Sequence, residues 1–368
     1  MTEFSGESLD SLIMDQINKT YTVSDSAMVA VSIYHDDGNG VVIDNAFLYS
    51  NANHPKPDTN TIFRIGSVTK TFNAFLIAQL AAEGKVKLKD PAQNYLPLNH
   101  GSLPDVQLPT TYNDSTVSIT LEDLAIYGSG LPRNAPVYNG ITPYDSMFTY
   151  LAEAPLLFAP GNSCYLYSNL GWAVLGLIPP YLEFPNDPIY YNRWFELLDN
   201  RLLMPLSMTD TRLELNNEQK NRKATGYPNE EYNPNWPANL SAGGLYSTIS
   251  DMRKYQKALM NLGPLQLNQA TLDTLLHLHG FEYIDTCSSS NQHYSRQIAL
   301  AWFYIDEKED NFSFYNKDGA VPGFSSYFTF GGPGTSRTGV IILSNNYHFP
   351  VVMAKNIHKW LVTGTLVP

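Results

Sequence analysis

The stretch FRIGSVTKTFNAFLIAQLAAEGK, residues 63–85, places a lysine at the start of an otherwise apolar helical segment. Lys70 stands in the first predicted turn, where a cation opposes the helix dipole and where burial of its charge is costly. Stability alone does not favour a lysine there. Ser67 lies three residues earlier, and side chains three apart on a helix approach to about 5–6 Å. The spacing therefore predicts that the Lys70 amine reaches the Ser67 hydroxyl.

Ser67 also has a simpler interpretation, because serine is a common helix N-cap. However, S-x-x-K occurs only once in the chain. A serine hydroxyl becomes a good nucleophile when a base takes its proton. Desolvation and the positive end of a helix both lower the pKa of a lysine, so a neutral fraction can serve as that base. The pattern indicates acylation of Ser67, with its backbone N–H available to a developing oxyanion.

The composition points to a folded protein that acts on small partners. The chain has 368 residues, of which 43% are hydrophobic and 16% are charged, and its net charge is −12. This balance argues against nucleic acid or an anionic membrane as the main partner. No segment reaches the roughly 18 apolar residues of a membrane span. The N-terminal residues lack a signal-peptide pattern, so we expect a cytoplasmic protein, or a periplasmic or secreted one if a leader has been removed.

The cysteines and histidines predict neither a disulfide scaffold nor a metal site. Cys164 and Cys287 are the only cysteines, and whether they pair stays open. His277 and His279 form an H-x-H pair without a third ligand in a suitable spacing. We expect no metal and no cofactor.

The hydrophobic pattern changes twice along the chain. Leu9 to Ile17 has helical periodicity, and two strand-like runs at 27–35 and 41–50 flank the turn sequence DDGNG. The middle of the chain is rich in Pro, Asn, Tyr and Leu and has short helical patterns. Strand patterns return in the last third, followed by a final helical segment; they lie at 297–305, 323–330 and 338–346.

These patterns predict an α+β fold. We expect one antiparallel sheet built from both ends of the chain and flanked by terminal helices, with a mostly helical, loop-rich domain inserted. The predicted sheet domain comprises residues 1–84 and 240–368, and the insert comprises residues 85–239. The functional site is expected where the two meet.

Two further segments carry candidate functional residues. Tyr167 and Asn169 precede an apolar helix that is predicted to start near Leu170. Lys317 and Gly319 are expected to open a strand, and a glycine there permits close approach of a substrate backbone. Taken singly, the first segment is typical of core packing and the second of a strand entrance.

Together, the three segments S-V-T-K (67–70), Y-S-N (167–169) and K-D-G (317–319) resemble the motifs of the serine β-lactamase and penicillin-binding-protein superfamily. The resemblance is closest to the branch that holds class C β-lactamases, D-alanyl-D-alanine carboxypeptidases and family VIII esterases. Supporting segments extend it over nearly all of the chain from about residue 60 to residue 346.

The resemblance implies a role for each matching residue. Ser67 would be the acylated nucleophile, Lys70 its general base, and Tyr167 the group that passes the proton to the leaving group. The remaining residues would bind substrate or stabilise the oxyanion: Asn169 by hydrogen bonds to Lys70 and substrate, Lys317 by its charge, Gly319 by close approach, and Ala320 by a second backbone N–H.

Two positions depart from the superfamily pattern. Asp318 stands where the third motif usually has Thr or Ser, which helps to hold a substrate carboxylate. If Asp318 faces the pocket, it repels such a carboxylate by about 1 kcal/mol or more at contact distance. Tyr127 and Gly128 stand where relatives commonly have a His-Thr pair, and we expect them to reshape the pocket wall.

The sequence thus favours a serine hydrolase that acts on an ester or amide of a small molecule or short peptide, with a neutral or amine-bearing group near Asp318. An acyltransferase is the first alternative, and a β-lactamase or D,D-carboxypeptidase is the second. An inactive binding scaffold of the same fold is the least favoured. A different hydrolase class is disfavoured because the chain contains no G-x-S-x-G.

Overall fold

The computed structural model describes residues 6–21, 27–40, 42–51, 55–97, 105–136, 144–161, 164–227, 240–263, 266–284, 293–307, 312–331, 337–348 and 350–364. Its centre is a large antiparallel sheet. The strands are β1 (Met28–Asp36), β2 (Val42–Ser50), β7 (His279–Ile284), β8 (His293–Ile298), β9 (Phe303–Glu307), β10 (Phe312–Val321), β11 (Phe324–Phe330) and β12 (Arg337–Ser344). Their order in the sheet is β2-β1-β12-β11-β10-β9-β8-β7.

The pairing of β1 with β12 joins the two ends of the chain. Val29 lies opposite Ser344 and Asp36 opposite Arg337, while the β1–β2 hairpin confirms the turn predicted at DDGNG. Two minor sheets complete the strands: β3 (Ile62–Arg64) with β6 (Tyr246–Thr248), and β4 (Thr111–Tyr112) with β5 (Ser115–Thr116).

The helices connect and cover these strands. They are α1 (Gly6–Thr20), α2 (Thr69–Ala82), α3 (Leu121–Ala125), α4 (Tyr144–Glu153), α5 (Asn169–Glu183), α6 (Trp194–Leu198), α7 (Asn217–Asn221), α8 (Leu240–Gly243), α9 (Ile249–Leu259), α10 (Gln269–Leu276) and α11 (Val351–Thr363). Single helical turns of other types lie at Gly66–Val68, Ala92–Tyr95, Tyr190–Arg193 and Asp199–Leu203.

The terminal helices α1 and α11 pack together on one face of the large sheet. Ile13 and Ile17 of α1 share a buried cluster with Val31 of β1 and with Ile357 and Leu361 of α11. The helical periodicity from Leu9 to Ile17 thus supplies the apolar stripe that the sheet requires. The predicted α+β fold, with an antiparallel sheet built from both chain ends and flanked by terminal helices, is confirmed.

The second hydrophobic cluster holds α2 and α5 at its centre. Phe72 and Ile77 of α2 are buried with Trp172 and Leu175 of α5. Burial of both helices on nearly all sides explains why their sequences are apolar with little periodicity. The division into domains at residues 84/85 and 239/240 remains a prediction.

The strand predicted at 297–305 is wrong as a single element. The chain turns after β8 and returns as β9, with the Ala299 N–H donating to the Trp302 carbonyl at 2.8 Å. Ala301 has φ +65° in this turn. Residues 299–302 are buried, and an apolar run that forms a buried turn has the same pattern as a buried strand.

Three smaller predictions concern cysteine, metal and membrane. Cys164 is disulfide-bonded; Cys287 lies outside the described residues. The His277 and His279 rings are 5.1 Å apart, and the described part of the chain contains no group of three or more His, Cys, Asp or Glu able to hold a metal ion. None of the described helices combines the length and apolarity that crossing a bilayer requires.

Candidate functional site

Ser67 lies in a tight turn between β3 and α2 that rests directly on β10. Gly66 has φ +49°, and a Cβ on it would come within 2.7 Å of the Ala320 nitrogen. A Cβ on Gly319 would come within 2.1 Å of the Ile65 carbonyl oxygen. The two glycines therefore let the turn and the strand approach at backbone distance. As a result, Ser67 and Ala320 line the same cleft.

Ser67 is not a helix cap. The residue that precedes α2 is Val68, and it makes no side-chain capping hydrogen bond. Ser67 instead accepts a hydrogen bond from Lys70 Nζ at 3.1 Å. The simpler interpretation of Ser67 is thus wrong, and the predicted contact with Lys70 is present.

Lys70 is fully buried and donates three hydrogen bonds. Besides Ser67, its Nζ reaches Asn169 Oδ1 at 2.8 Å and the Ala242 carbonyl at 2.6 Å. Both of these oxygens can only accept, so a neutral amine that keeps them turns its lone pair toward the Ser67 hydroxyl. Burial, aided by the charge of Lys317, lowers the pKa of Lys70 to about 8. A neutral fraction is therefore present near neutral pH.

Tyr167 lies among three cations. Lys70 Nζ, Lys317 Nζ and Arg133 Cζ are 4.9, 5.2 and 5.0 Å from the centre of its ring. Burial raises the pKa of Tyr167, but the charges of Lys317 and Lys70 outweigh that effect and lower it below the usual value. The phenol is thus prepared to give up and take back a proton.

The helix that follows Tyr167 is well defined at its start. Ser168 is the N-cap of α5, with its Oγ accepting from the Gly171 N–H at 2.9 Å. Asn169 is the first residue of α5, and its backbone N–H donates to the Arg133 carbonyl at 2.7 Å. These contacts place the Asn169 side chain over Lys70.

Lys317 and Asp318 form an ion pair at the edge of the cleft. Lys317 Nζ lies 3.2 Å from Asp318 Oδ1, and the Lys317 side chain is fully buried while that of Asp318 is 40% exposed. Burial opposes the charge of each group, yet their mutual attraction raises the pKa of Lys317 and lowers that of Asp318. Asp318 lines the cleft. Its side chain therefore faces the pocket, which its position in the sequence did not establish.

The third motif does not open a strand as predicted. Lys317, Gly319 and Ala320 lie in the second half of β10, which begins at Phe312. On one side β10 pairs with β11 through Val321. On the other, its described pairing with β9 ends at Asn316. The departure of β9, which periodicity does not predict, leaves this part of β10 as an edge beside the cleft.

The cleft has a volume of about 660 Å³. Its lining combines the predicted site residues with tyrosines and charged groups: Ser67, Arg133, Tyr165, Tyr167, Asn169, Phe303, Tyr304, Ile305, Asp306, Glu307, Asn316, Asp318, Ala320, Tyr327, Tyr347, Val351 and Lys355. Val351 and Lys355 come from the first turns of α11, a contribution that the sequence analysis did not foresee.

Tyr127 does not itself line the cleft, and its expected effect on the shape of the pocket wall stays a prediction. Its side chain is fully buried and stacks on Tyr167 with ring centres 4.8 Å apart. It stacks on Phe303 at 6.0 Å as well. Tyr127 therefore stabilises the position of the Tyr167 ring by stacking on it.

Besides Val351 and Lys355, the sequence patterns do not indicate the roles of Ala242 and Arg133 in the site. The carbonyl of Ala242 gave no signal, because any residue type supplies the same backbone oxygen. Arg133 stood within a segment that resembles the superfamily, but its distance from Tyr167 in sequence concealed the contact between them.

Comparison with known proteins places this arrangement in context. A family model described as Beta-lactamase matches residues 22–364. The D-alanyl-D-alanine-carboxypeptidase/endopeptidase AmpH of Escherichia coli K12 is 27% identical over 299 residues, which cover 79% of this chain and 73% of AmpH. A Pseudomonas fluorescens β-lactamase is 28% identical over 344 residues, covering 85% of this chain and 87% of that protein.

Solved structures share the fold. A Yersinia pestis β-lactamase/D-alanine carboxypeptidase complexed with citrate superposes with a TM-score of 0.72 at 23% identity, covering 97% of this chain and 99% of the other. A class C β-lactamase superposes with a TM-score of 0.71 at 20% identity, covering 98% and 97%.

Proposed function

Because the chain belongs to the β-lactamase family and is thus a serine hydrolase that forms an acyl-enzyme, we propose that Ser67 carries the acyl group. We propose further that the substrate is an ester or amide of a small molecule or short peptide. The family fixes the type of reaction, whereas the substrate depends on side chains in the cleft.

Acylation begins at the Ser67–Lys70 pair. Neutral Lys70 takes the Ser67 hydroxyl proton as Oγ attacks the carbonyl carbon of the substrate, since the Lys70 lone pair faces that hydroxyl over 3.1 Å. The carbonyl oxygen becomes an oxyanion, which the backbone N–H groups of Ser67 and Ala320 stabilise from the two sides of the junction between the turn and β10.

The tetrahedral intermediate collapses when the leaving group receives a proton. Tyr167 donates it from the hydroxyl and regains one from Lys70, because both lysines beside the ring stabilise the phenolate. The carbonyl re-forms and the bond to the alcohol or amine breaks. Water then attacks the carbonyl carbon of the acyl-enzyme and gives its proton to Tyr167 and Lys70, which return a proton to Ser67 Oγ as the ester bond breaks, and the acid product leaves.

The contact that decides the substrate is the ion pair of Lys317 with Asp318. A carboxylate next to β10 would have to approach the partly exposed Asp318 carboxylate, and the charge of Lys317 is already matched at 3.2 Å. Two like charges at contact distance repel by about 1 kcal/mol or more. This supports a neutral or amine-bearing group beside β10, in an ester or amide.

A D,D-carboxypeptidase is the second candidate, because AmpH is named as a D-alanyl-D-alanine carboxypeptidase and endopeptidase. Its substrate would end in a carboxylate, which must then be held away from Asp318. An acyltransferase would use the same acyl-enzyme with an alcohol or amine in place of water.

The test is intact-protein mass spectrometry after brief exposure to a p-nitrophenyl short-chain ester and, separately, to a penicillin. We expect turnover or an acyl adduct with the ester, and none in Ser67→Ala. A stable penicilloyl adduct with no ester turnover would instead favour the penicillin-binding alternatives. Product formation that rises with an added alcohol or amine would identify an acyltransferase, and inertness toward both probes would point to a binding scaffold.

The disulfide of Cys164 supports a periplasmic or secreted location over the cytoplasmic one expected from the N-terminal residues, since disulfides persist in oxidising compartments. Alkylation before and after reduction, with the protein purified under non-reducing conditions, tests this. Labelling of Cys164 before reduction would remove the support.

A further inference from the structure

Arg133 presents a cation to the cleft from the wall formed by the segment after α3. Its backbone carbonyl accepts hydrogen bonds from the N–H groups of Asn169 at 2.7 Å and Leu170 at 3.3 Å. The neighbouring Asn134 accepts from Asn169 Nδ2 at 2.8 Å. The segment is thus fastened to the start of α5, and the position of the Arg133 backbone is fixed relative to Tyr167.

The guanidinium group of Arg133 lies in the cleft, beside the Tyr167 ring. Its Cζ is 5.0 Å from the centre of the Tyr167 ring, and Arg133 lines the cleft together with Ser67. The residue is exposed. Contact with a tyrosine ring leaves most of the five N–H donors of an arginine available to an anion.

Arg133 forms no ion pair with an acidic side chain among the described residues. Five arginines elsewhere in that part of the chain form ion pairs with Asp or Glu; they are Arg193, Arg201, Arg212, Arg222 and Arg253. The net charge of −12 means that acidic groups are plentiful. An unpaired guanidinium in a cleft therefore suits an anion brought by the substrate.

We propose that Arg133 binds a carboxylate on the leaving-group portion of the substrate. This rests on the proposed serine hydrolase function. Tyr167 protonates the leaving group in that mechanism, so the part of the substrate that lies over Tyr167 is the departing part. The Asp318 carboxylate repels an anion beside β10, whereas Arg133, on the segment after α3, attracts one beside the Tyr167 ring. The substrate is therefore oriented with its carboxylate toward Arg133 and away from Asp318.

The pair of acetyl esters of 4-hydroxybenzoate and 4-hydroxybenzamide tests the proposal, because they differ only in the charge of the leaving group. We expect the intact protein to hydrolyse the carboxylate ester with a KM about tenfold lower, which corresponds to about 1.4 kcal/mol. In Arg133→Gln the ratio of the two KM values should approach one. Arg133→Lys should keep part of it, since a lysine retains the charge but not the planar pair of donors.

Arg193→Gln is the matched control, since it removes the same charge from an arginine that does not line the cleft; the KM ratio should be unchanged there. Equal KM values for the two esters in the unsubstituted protein would overturn the proposal. A fall in kcat that is equal for both esters in Arg133→Gln, with a shifted pH profile, would make Arg133 a positioning residue for Tyr167 instead. If neither ester is turned over, or if Ser67→Ala hydrolyses both, it is the proposed function that fails.

Discussion

At the scale of single residues, the site depends on two buried lysines whose pKa values are shifted in opposite directions. Lys70 is buried and donates to three oxygens, while Lys317 is buried beside Asp318. The two lysines hold their protons differently because Lys317 pairs directly with the Asp318 carboxylate, whereas Lys70 hydrogen-bonds to uncharged oxygens. Lys70 can lose its proton near neutral pH, and Lys317 keeps its own.

The pH dependence of the reaction should follow Lys70. Its pKa of about 8 means that the ammonium form, which cannot accept the Ser67 proton, predominates at lower pH. We therefore expect kcat/KM for a neutral ester to rise with pH and to level off above about pH 8. A profile of kcat/KM from pH 5.5 to pH 9.5 checks this. In Lys355→Gln, which alters the lysine that α11 contributes to the cleft lining, the rise should stay at the same pH; a flat profile would exclude Lys70 as the base.

Asp318 should control the response to carboxylated substrates. Its replacement by Thr removes the repulsion and frees Lys317, so acylation by a penicillin should accelerate at least about tenfold. The rate of penicilloyl adduct formation by mass spectrometry measures it. Asp306→Thr serves as the control, because Asp306 also lines the cleft without pairing with Lys317 among the described contacts. Equal rates in Asp318→Thr and the unsubstituted protein would mean that Asp318 does not govern carboxylate recognition.

At the scale of elements, the site is a junction of three pieces of chain. The turn before α2 brings Ser67, the start of α5 brings Asn169, and the free edge of β10 brings Ala320. The turn and β10 fit together because Gly319 has no side chain facing the Ile65 carbonyl. Ser326 strengthens the same junction, since its hydroxyl donates to the Ile65 carbonyl at 2.9 Å.

Gly319→Ala should separate the turn from β10. The added Cβ would lie 2.1 Å from the Ile65 oxygen and 2.5 Å from Ser326 Oγ, so backbone must move and the two oxyanion donors separate. We expect a loss of at least about a hundredfold in kcat, as for removal of an oxyanion donor, with a destabilisation of about 1–3 kcal/mol. Ester kinetics and urea unfolding measure both effects.

Gly171→Ala is the matched control for that substitution. A Cβ on Gly171 of α5 would find its nearest neighbour at 3.5 Å, an ordinary contact, and alanine favours a helix over glycine. Stability should be kept or improved. Full activity in Gly319→Ala would show that the junction tolerates a side chain and that close approach is not required there.

At the scale of the whole molecule, the buried apolar residues form two clusters, one around α2 and α5 and one around α1 and α11. Helix α11 also contributes Val351 and Lys355 to the lining of the cleft. The same helix contains His358, which is buried, stacks on Phe314 at 4.5 Å and lies 3.1 Å from Thr329 Oγ1. Burial, aided by the nearby His35, lowers the pKa of His358 to about 3.

His358 should make the fold sensitive to acid. The unfolded chain binds a proton at this histidine below its ordinary pKa of 6.5, whereas the folded protein does not until about pH 3. Stability is therefore fully present above pH 6.5 and falls as the pH is lowered, by up to about 2 kcal/mol at pH 5 from this group. Urea unfolding at pH 7 and pH 5 measures the loss.

The loss should shrink in His358→Gln and persist in His348→Gln, since His348 is exposed. A reduced slope of stability against pH in the first variant alone would support the assignment. If the slope is the same in all three proteins, other groups, such as buried carboxylates, account for the acid sensitivity.

How much of this the sequence predicts differs between fold and site. Strand pairing of the chain ends follows from the apolar runs near each terminus, and the terminal helices follow from periodicity at Leu9 to Ile17. The broken strand at Ala299–Trp302 was mispredicted, because burial of a turn requires the same apolar residues as burial of a strand.

The sequence by itself determined the pairing of Ser67 with Lys70, since three-residue spacing on a helix is a local geometric property. It also determined the fold class, because the terminal strands and helices have their own hydrophobic patterns. Only the tertiary structure decided that Asp318 faces the cleft, that the Ala242 carbonyl orients Lys70, and that Arg133 reaches Tyr167. Those contacts join residues far apart in the chain, and their distances depend on how β10, α5 and α8 pack, which no local pattern specifies.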